Sequence, residues 1–187
     1  GYFVSDYSRI PFAEVSINPA KNFVYFTADK HPLAVSVGRN YLSYASRLAP
    51  LFLEKRSEKG FFLMIEGSQI DWAGHDNDQD YLIAETLNFD QAVREALKFA
   101  RRDKETLLVV TADHETGEVS LGKKYTPADA SGQRSSIPHE VSVNFNSDQH
   151  SAELIPVFAK GPGGKHFQGI YDNHDIYHKL LAALGLE

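Results

Sequence analysis

The chain has 187 residues, of which 42% are hydrophobic and 24% charged, with a formal net charge of −6. That length suits one domain with a substantial core, and a 12% aromatic content excludes a disordered, collagen-like or low-complexity chain. With no cysteine there is no disulfide framework, no thiolate nucleophile and no cysteine-based zinc site, so any metal must be held by the 8 histidines and 25 acidic residues.

The acidic balance argues against a nucleic-acid partner. No apolar run approaches the roughly 18 residues of a membrane span. The chain opens Gly1-Tyr2-Phe3, without Met or a basic leader region, so no signal peptide is expected within it; a processed or recombinantly expressed product is expected, and its localisation is not legible from the opening residues.

In chain order, residues 1–4 read as the end of a buried strand entering a loop at Ser5-Asp6. Residues 11–35 are turn-rich, with Pro11, Pro19 and Pro32, and hold a short candidate strand at Phe23–Phe26. From about Val35 to Lys55, apolar residues including Val37, Tyr41, Ala45, Leu48 and Phe52 recur at helical spacing, with Pro50 as a point of bending. Phe61–Ile65 is an unbroken apolar run, the pattern of a strand buried on both faces. A long amphipathic helix is predicted over Tyr81–Arg102, and Leu107–Val110 is a second apolar strand. Strand, long helix and strand at this spacing predict a βαβ unit with a parallel pair. The polar stretch 118–146 contains two alternating candidates, Glu118–Leu121 and Glu140–Phe145, which predict a hairpin-like β excursion. Leu154–Ala159 reads as a further strand, Gly161–Gly164 as a sharp turn and Asn173–Leu184 as a closing helix. The expected fold is a single α/β domain over 1–187, a mostly parallel sheet with flanking helices.

In open parallel sheets, chemistry gathers outside the carboxyl ends of the strands. Glu66, Asp71 and His75 follow the first apolar run, Asp113 and His114 follow the second, and His150 precedes the third. The four-residue spacing of Asp71 and His75 puts both on one side of a helical turn. Asp71, His75 and His150 would make the three protein ligands of an open zinc site, and Asp113 with His114 most of a second. Taken singly, each has a plainer reading: Asp71 with His75 as a solvated helix start, Asp113-His114 as a turn, Glu66 as a cap, and Trp72 as packing. His31, His139, His166, His174 and His178 receive no role.

The segments Glu66–His75 (EGSQIDWAGH), Thr111–Gly117 (TADHETG) and His150–Glu153 (HSAE) closely resemble, in order, three signatures of the alkaline phosphatase family. The resemblance is clear from about Lys59 to Gly163 and looser toward both ends. It implies an alkaline-phosphatase-like α/β fold and a two-zinc, one-magnesium site that hydrolyses phosphate monoesters through a covalent phosphoserine or phosphothreonine. Position by position, it implies that Asp71, His75 and His150 bind the first zinc. Asp113 and His114 match two ligands of the second zinc, and Glu66 matches a carboxylate of the magnesium site. The chain departs from the family pattern in having Ser68 and Glu118 where glycine is common.

The family's nucleophile motif, an earlier bridging Asp and the phosphate-binding Arg are not found. Asp129-Ala130-Ser131 is a near-match in the wrong order, so no catalytic nucleophile is assigned in this chain. The resemblance therefore implies the carboxyl-terminal part of a larger phosphatase, with little or no turnover of its own. It also implies a homodimer in the periplasm or outside the cell. A related metalloenzyme (phosphodiesterase, sulfatase or phosphoglycerate mutase) and a non-catalytic metal-binding or interaction domain are the alternatives.

Overall fold

Gln79–Asp103 forms the longest helix and organises what surrounds it. The Asp78 carboxylate caps its first turn by accepting the Tyr81 amide at 2.9 Å. Arg101 and Arg102 occupy its last turn, where positive charge complements the helix dipole, and Lys104 ends it at φ 70°. In this computed structural model, which describes residues 1–18 and 20–186, the strands are β1 (Tyr2–Asp6), β2 (Asn22–Phe26), β3 (Leu108–Val110), β4 (Glu115–Thr116), β5 (Ser120–Tyr125), β6 (Ser136–Asn144), β7 (His150–Ser151) and β8 (Phe158–Lys160). The α-helices are α1 (Leu42–Glu54), α2 (Gln69–His75), α3 (Gln79–Asp103) and α4 (Asp175–Leu184). Pro19, one of the expected loop prolines, lies outside the described residues.

Helix α1 packs on α3. It begins later than its apolar spacing predicts because Val35–Val37 forms a separate 3₁₀ turn, closed by Gly38 in the left-handed region at φ 104°. Pro50 is accommodated inside α1 without ending it. Two ion pairs tie the layers together. Arg102 meets both carboxylate oxygens of Glu54 at 2.9 Å, and Arg39 donates to Glu85 in the interior. Glu85 is 2% exposed, and its other oxygen accepts the Val35 amide at 2.6 Å. A buried charge is tolerated only when paired and hydrogen-bonded in this way.

The sheet differs from the expected mostly parallel arrangement. Among the described residues one pair is parallel, β1 with β2, while β3–β8, β4–β7 and β5–β6 are antiparallel. The β1–β2 ribbon is also less buried than its sequence implied: Tyr2 and Val4 are exposed, whereas Phe3 stacks on Phe23. Phe61–Ile65 carries no ladder, so the expected βαβ pair does not close. Its side chains alternate instead, with Phe61, Leu63 and Ile65 half-buried and Phe62 and Met64 at 61% and 76% exposure. Phe61 meets the Phe99 ring of α3 edge-on at 6.0 Å. One face thus packs on the helix while the backbone edges have no strand beside them, the physical reason a doubly buried strand is not formed. The apolar run 154–159 becomes a strand only at its end, because Pro156 has no amide to donate to a ladder. The stretch 118–146 forms the β5–β6 hairpin.

Candidate metal centre

Helix α2 is short, but its position is set by close backbone packing. A Cβ on Gly67, just before it, would lie 2.7 Å from the Phe89 ring of α3. One on Gly74 would lie 2.8 Å from the Thr116 carbonyl oxygen. Gly117 takes φ 94° and has room for a Cβ only 3.1 Å from the Gly74 carbonyl. Glycine is required at this crossing for space and, at Gly117, for conformation as well. The crossing places the face of α2 that bears Asp71 and His75 against β4.

Strand β4 in turn pairs with β7, setting Thr116 opposite His150 and Glu115 opposite Ser151. The Glu115 carboxylate accepts the Ser151 hydroxyl at 2.6 Å and the Val119 and Glu118 amides at 2.9 and 3.1 Å. Burial works against that charge, but these three donors outweigh it and hold the Glu115 pKa below the ordinary range. Glu118 sits at φ 47°, the left-handed region that glycine enters freely and other residues seldom do. Beneath α2, the Tyr81 hydroxyl donates to Gln69, and burial followed by the nearby Glu85 charge raises the Tyr81 pKa.

These contacts bring four of the six expected ligand residues into one cluster. His75 Nε2 and His150 Nε2 are 3.1 Å apart, and each lies 3.5 Å from Asp71 Oδ1. His75 Nδ1 lies 2.6 Å from the Asp148 carbonyl, which can only accept, so in the neutral ring Nδ1 holds the proton and Nε2 presents a lone pair. Two donors bound to a tetrahedral zinc at about 2.0–2.1 Å stand about 3.3–3.4 Å apart. The triangle of Asp71, His75 and His150 fits that requirement.

His114 joins the same cluster, its ring stacked on His150 at 3.5 Å between centroids. Asp71, His114 and His150 also gather, with one ligand atom each within 4.8 Å of the others. Asp113 reaches His114 Nε2 at 3.3 Å and is otherwise exposed. Glu66 stands exposed where the extended segment enters α2, outside the contacting group.

A cleft of about 1080 Å³ runs from Asp113 and His114 past Leu154, Phe158 and Ile170, all three strongly exposed. Asp129 and Ser131 sit far along the chain in the β5–β6 connection. There Asp129 Oδ1 accepts the Ser131 hydroxyl and amide at 2.6 and 2.8 Å and the Gln133 amide at 2.9 Å, a turn-closing role.

Sequence reasoning passed over Thr116, Glu115 and Ser151, which touch the expected ligand residues or brace the strands that carry them. Their signal was position within TADHETG and HSAE, but nothing in residue type alone marks a hydroxyl as a ligand's partner. Trp72 was expected to pack; its ring stacks on the exposed His31 at 4.8 Å between centroids, but 45% of it remains exposed.

A family model described as alkaline phosphatase matches residues 46–139. Alkaline phosphatase 3 of Bacillus subtilis (strain 168) is 57% identical, over 69% of this chain and 41% of its own length. Streptomycin-6-phosphate phosphatase of Streptomyces griseus is 35% identical, over 68% of this chain and 30% of its own length. The solved alkaline phosphatase of the Antarctic bacterium TAB5 superposes with a TM-score of 0.85 at 41% identity, covering 100% of this chain and 52% of that one. A mutant of the same enzyme, solved with Mg bound in its M3 site, gives 0.86 at 40% identity and 53% of its length. The chain thus spans well under half of these curated relatives and about half of the solved structures.

Proposed function

The chain belongs to the alkaline phosphatase family, and from that premise we propose that it is the carboxyl-terminal, metal-binding part of a larger phosphate monoesterase. Asp71, His75 and His150 would hold the first zinc, Asp113 and His114 two positions of the second, and Glu66 one carboxylate position of the magnesium site. The observation that carries this reading is the triangle of His75 Nε2, His150 Nε2 and Asp71 Oδ1, with edges of 3.1, 3.5 and 3.5 Å. When bound, such metals act as Lewis acids that make a coordinated hydroxyl more acidic and offset charge on the phosphoryl oxygens.

The chain's own residues prepare that chemistry. The Asp148 carbonyl orients His75, and the β4–β7 pairing carries His150 to the same point. Glu115 and Ser151 fasten that pairing from behind. No nucleophile is assigned to the chain, since Ser131 is engaged in the turn built on Asp129. The chain alone is therefore proposed to bind zinc without turning over substrate.

The remainder of the parent would supply the nucleophile and the missing ligands. It would also cover Phe62, Met64, Leu154, Phe158 and Ile170, and give Phe61–Ile65 the neighbouring strands that complete a parallel sheet. The polar stretch 118–146 is read as an excursion within this part. No described helix is long and apolar enough to cross a membrane. The resemblance extends the proposal to a homodimer in the periplasm or outside the cell. The family match weighs against a sulfatase, phosphodiesterase or phosphoglycerate mutase.

Zinc binding by the 187-residue chain, measured calorimetrically, tests this reading together with hydrolysis of an aryl phosphate. Binding that His150→Ala removes, with no hydrolysis above background, is expected. Zinc-dependent hydrolysis lost in His150→Ala would overturn the inactivity, and absence of zinc binding would overturn the site.

A further inference from the structure

Successive side chains of a strand point to opposite sides, and at β4 the two sides do different work. His114 and Thr116 lie on the side of the cluster, and Thr116 stands opposite His150. Glu115, between them, lies on the other side, opposite Ser151. There its Oε2 accepts the Ser151 hydroxyl at 2.6 Å and the Glu118 amide at 3.1 Å, and its Oε1 accepts the Val119 amide at 2.9 Å. One carboxylate thus joins β7, which carries His150, to the left-handed turn at Gly117 and Glu118, with φ 94° and 47°. The turn itself grips the segment that leads into β7. Gly117 donates its amide to the Gln149 carbonyl at 3.0 Å, and its carbonyl accepts the Asn146 and Ser147 amides at 3.0 and 3.3 Å. Asp148, whose carbonyl faces His75 Nδ1, lies within that segment.

We infer that Glu115 is a positioning residue that fixes the β4–β7 register, and with it the place of His150, by clasping the Ser151 hydroxyl and the turn after β4. The need for a clasp follows from the length of the pairing. Each strand has 2 residues, too short a ladder to hold its register by backbone bonds alone. A slip of one residue would exchange the two sides, turning His150 away from Asp71 and His75 and Ser151 toward them. Glu115 and Ser151 are both half-buried, so water competes less for their hydrogen bond than at an exposed site. This inference rests on the proposed metal-binding reading and adds to it a dependence on a side chain that faces away from the ligand triangle.

The test compares the 187-residue chain with Ser151→Ala, Ser151→Thr, Glu115→Ala and His150→Ala, using zinc as the probe. Ser151→Ala removes the cross-strand arm of the clasp alone, and Glu115→Ala removes both arms. Zinc affinity is expected to fall about 10-fold in Ser151→Ala, the lower end of the usual effect of losing support behind a ligand. Glu115→Ala should lose at least as much. Ser151→Thr, which keeps the hydroxyl on a strand-favouring residue, is expected to recover most of the loss. Affinities are measured on chains shown by circular dichroism to be folded, so that lost stability alone does not register. If Glu115→Ala does not fold, the Ser151 pair decides.

A second readout needs no metal. Amide hydrogen exchange at Gly117, which bonds across to Gln149, should quicken in both Ser151→Ala and Glu115→Ala. Exchange at Glu118 and Val119 should quicken only in Glu115→Ala, because Ser151→Ala leaves the turn arm intact. If folded Ser151→Ala and Glu115→Ala bind zinc as the parent chain does while His150→Ala does not, the clasp is overturned and the site stands. A Gly117 amide equally protected in the parent chain and both variants overturns the clasp in the same way. If the parent chain takes up no zinc, the site reading falls and the positioning role with it.

Discussion

His75 Nε2 and His150 Nε2 face each other at 3.1 Å across 75 residues of sequence. The Asp148 carbonyl claims the proton of His75 on the far side of its ring. In the neutral rings the near nitrogen of His75 is therefore a lone pair, with Asp71 Oδ1 3.5 Å from both imidazoles. These three potential ligand atoms are brought together by the Gly74–Gly117 crossing and the β4–β7 pairing.

Zinc held by these three residues would bind the folded chain and not the unfolded one, so it is expected to stabilise the chain. A ligand that binds only the folded state at about 100 times its dissociation constant adds about 2.7 kcal/mol. Thermal melts with zinc, and again after a chelator, should show a rise and its reversal. His75→Ala should show neither, and a parent chain whose melting is indifferent to zinc would sink the prediction.

Gly74 is where helix and strand approach most closely at the site. Gly74→Ala would set a methyl 2.8 Å from the Thr116 carbonyl oxygen, a backbone atom that cannot swing aside. The expected cost is that of overpacking, about 1–3 kcal/mol, accompanied by weaker zinc binding as α2 is displaced. Urea unfolding and a zinc titration on the same variant check both. An unchanged midpoint would show that the crossing yields more easily than its contacts imply.

The Arg39–Glu85 pair is buried on both sides, with Arg39 at 8% and Glu85 at 2% exposure. Arg39→Met would leave Glu85 with only the Val35 amide. A loss of about 3–5 kcal/mol is expected, since an uncompensated charge remains in the interior. The double variant Arg39→Met/Glu85→Met should recover much of that loss in denaturant unfolding. If it is no more stable than the single variant, the pair's value lies in shape rather than charge.

Asp129 provides a pH prediction at the hairpin tip. The Ser131 hydroxyl, then the Gln133 and Ser131 amides, hold its pKa below the ordinary aspartate value. A carboxylate depressed by folding contributes stability above its unfolded pKa, about 3.9, and loses it as the pH falls through the lower folded value. The turn should therefore loosen on acidification below about pH 3.9. The Ser131 and Gln133 amide resonances should follow that titration, and Asp129→Asn should abolish it. Resonances that do not move would contradict the turn-closing role.

Much of this molecule was legible from local pattern. The 3.6-residue periodicity of 81–102 marks α3 to within about two residues, because a helix's bonds lie within its own segment. The closing helix was legible for the same reason, and the short strand at Phe23–Phe26 was legible from its aromatic and β-branched residues between turn signals. Phe61–Ile65 was read as a doubly buried strand because hydrophobicity reports what a segment prefers to touch. Whether a neighbour is present to complete the ladder is a property of the rest of the chain.

At the site, residue type and order determined that any metal would be held by imidazole and carboxylate, and named Asp71, His75, Asp113, His114, His150 and Glu66. Only the tertiary structure decided which of them meet. Asp71, His75, His114 and His150 converge, Asp113 stands beside His114, and Glu66 is set apart. It also decided that Thr116 belongs with them. Convergence depends on how closely two backbones can approach at Gly74 and Gly117 and on the β4–β7 register, contacts between segments far apart in sequence that no local pattern encodes.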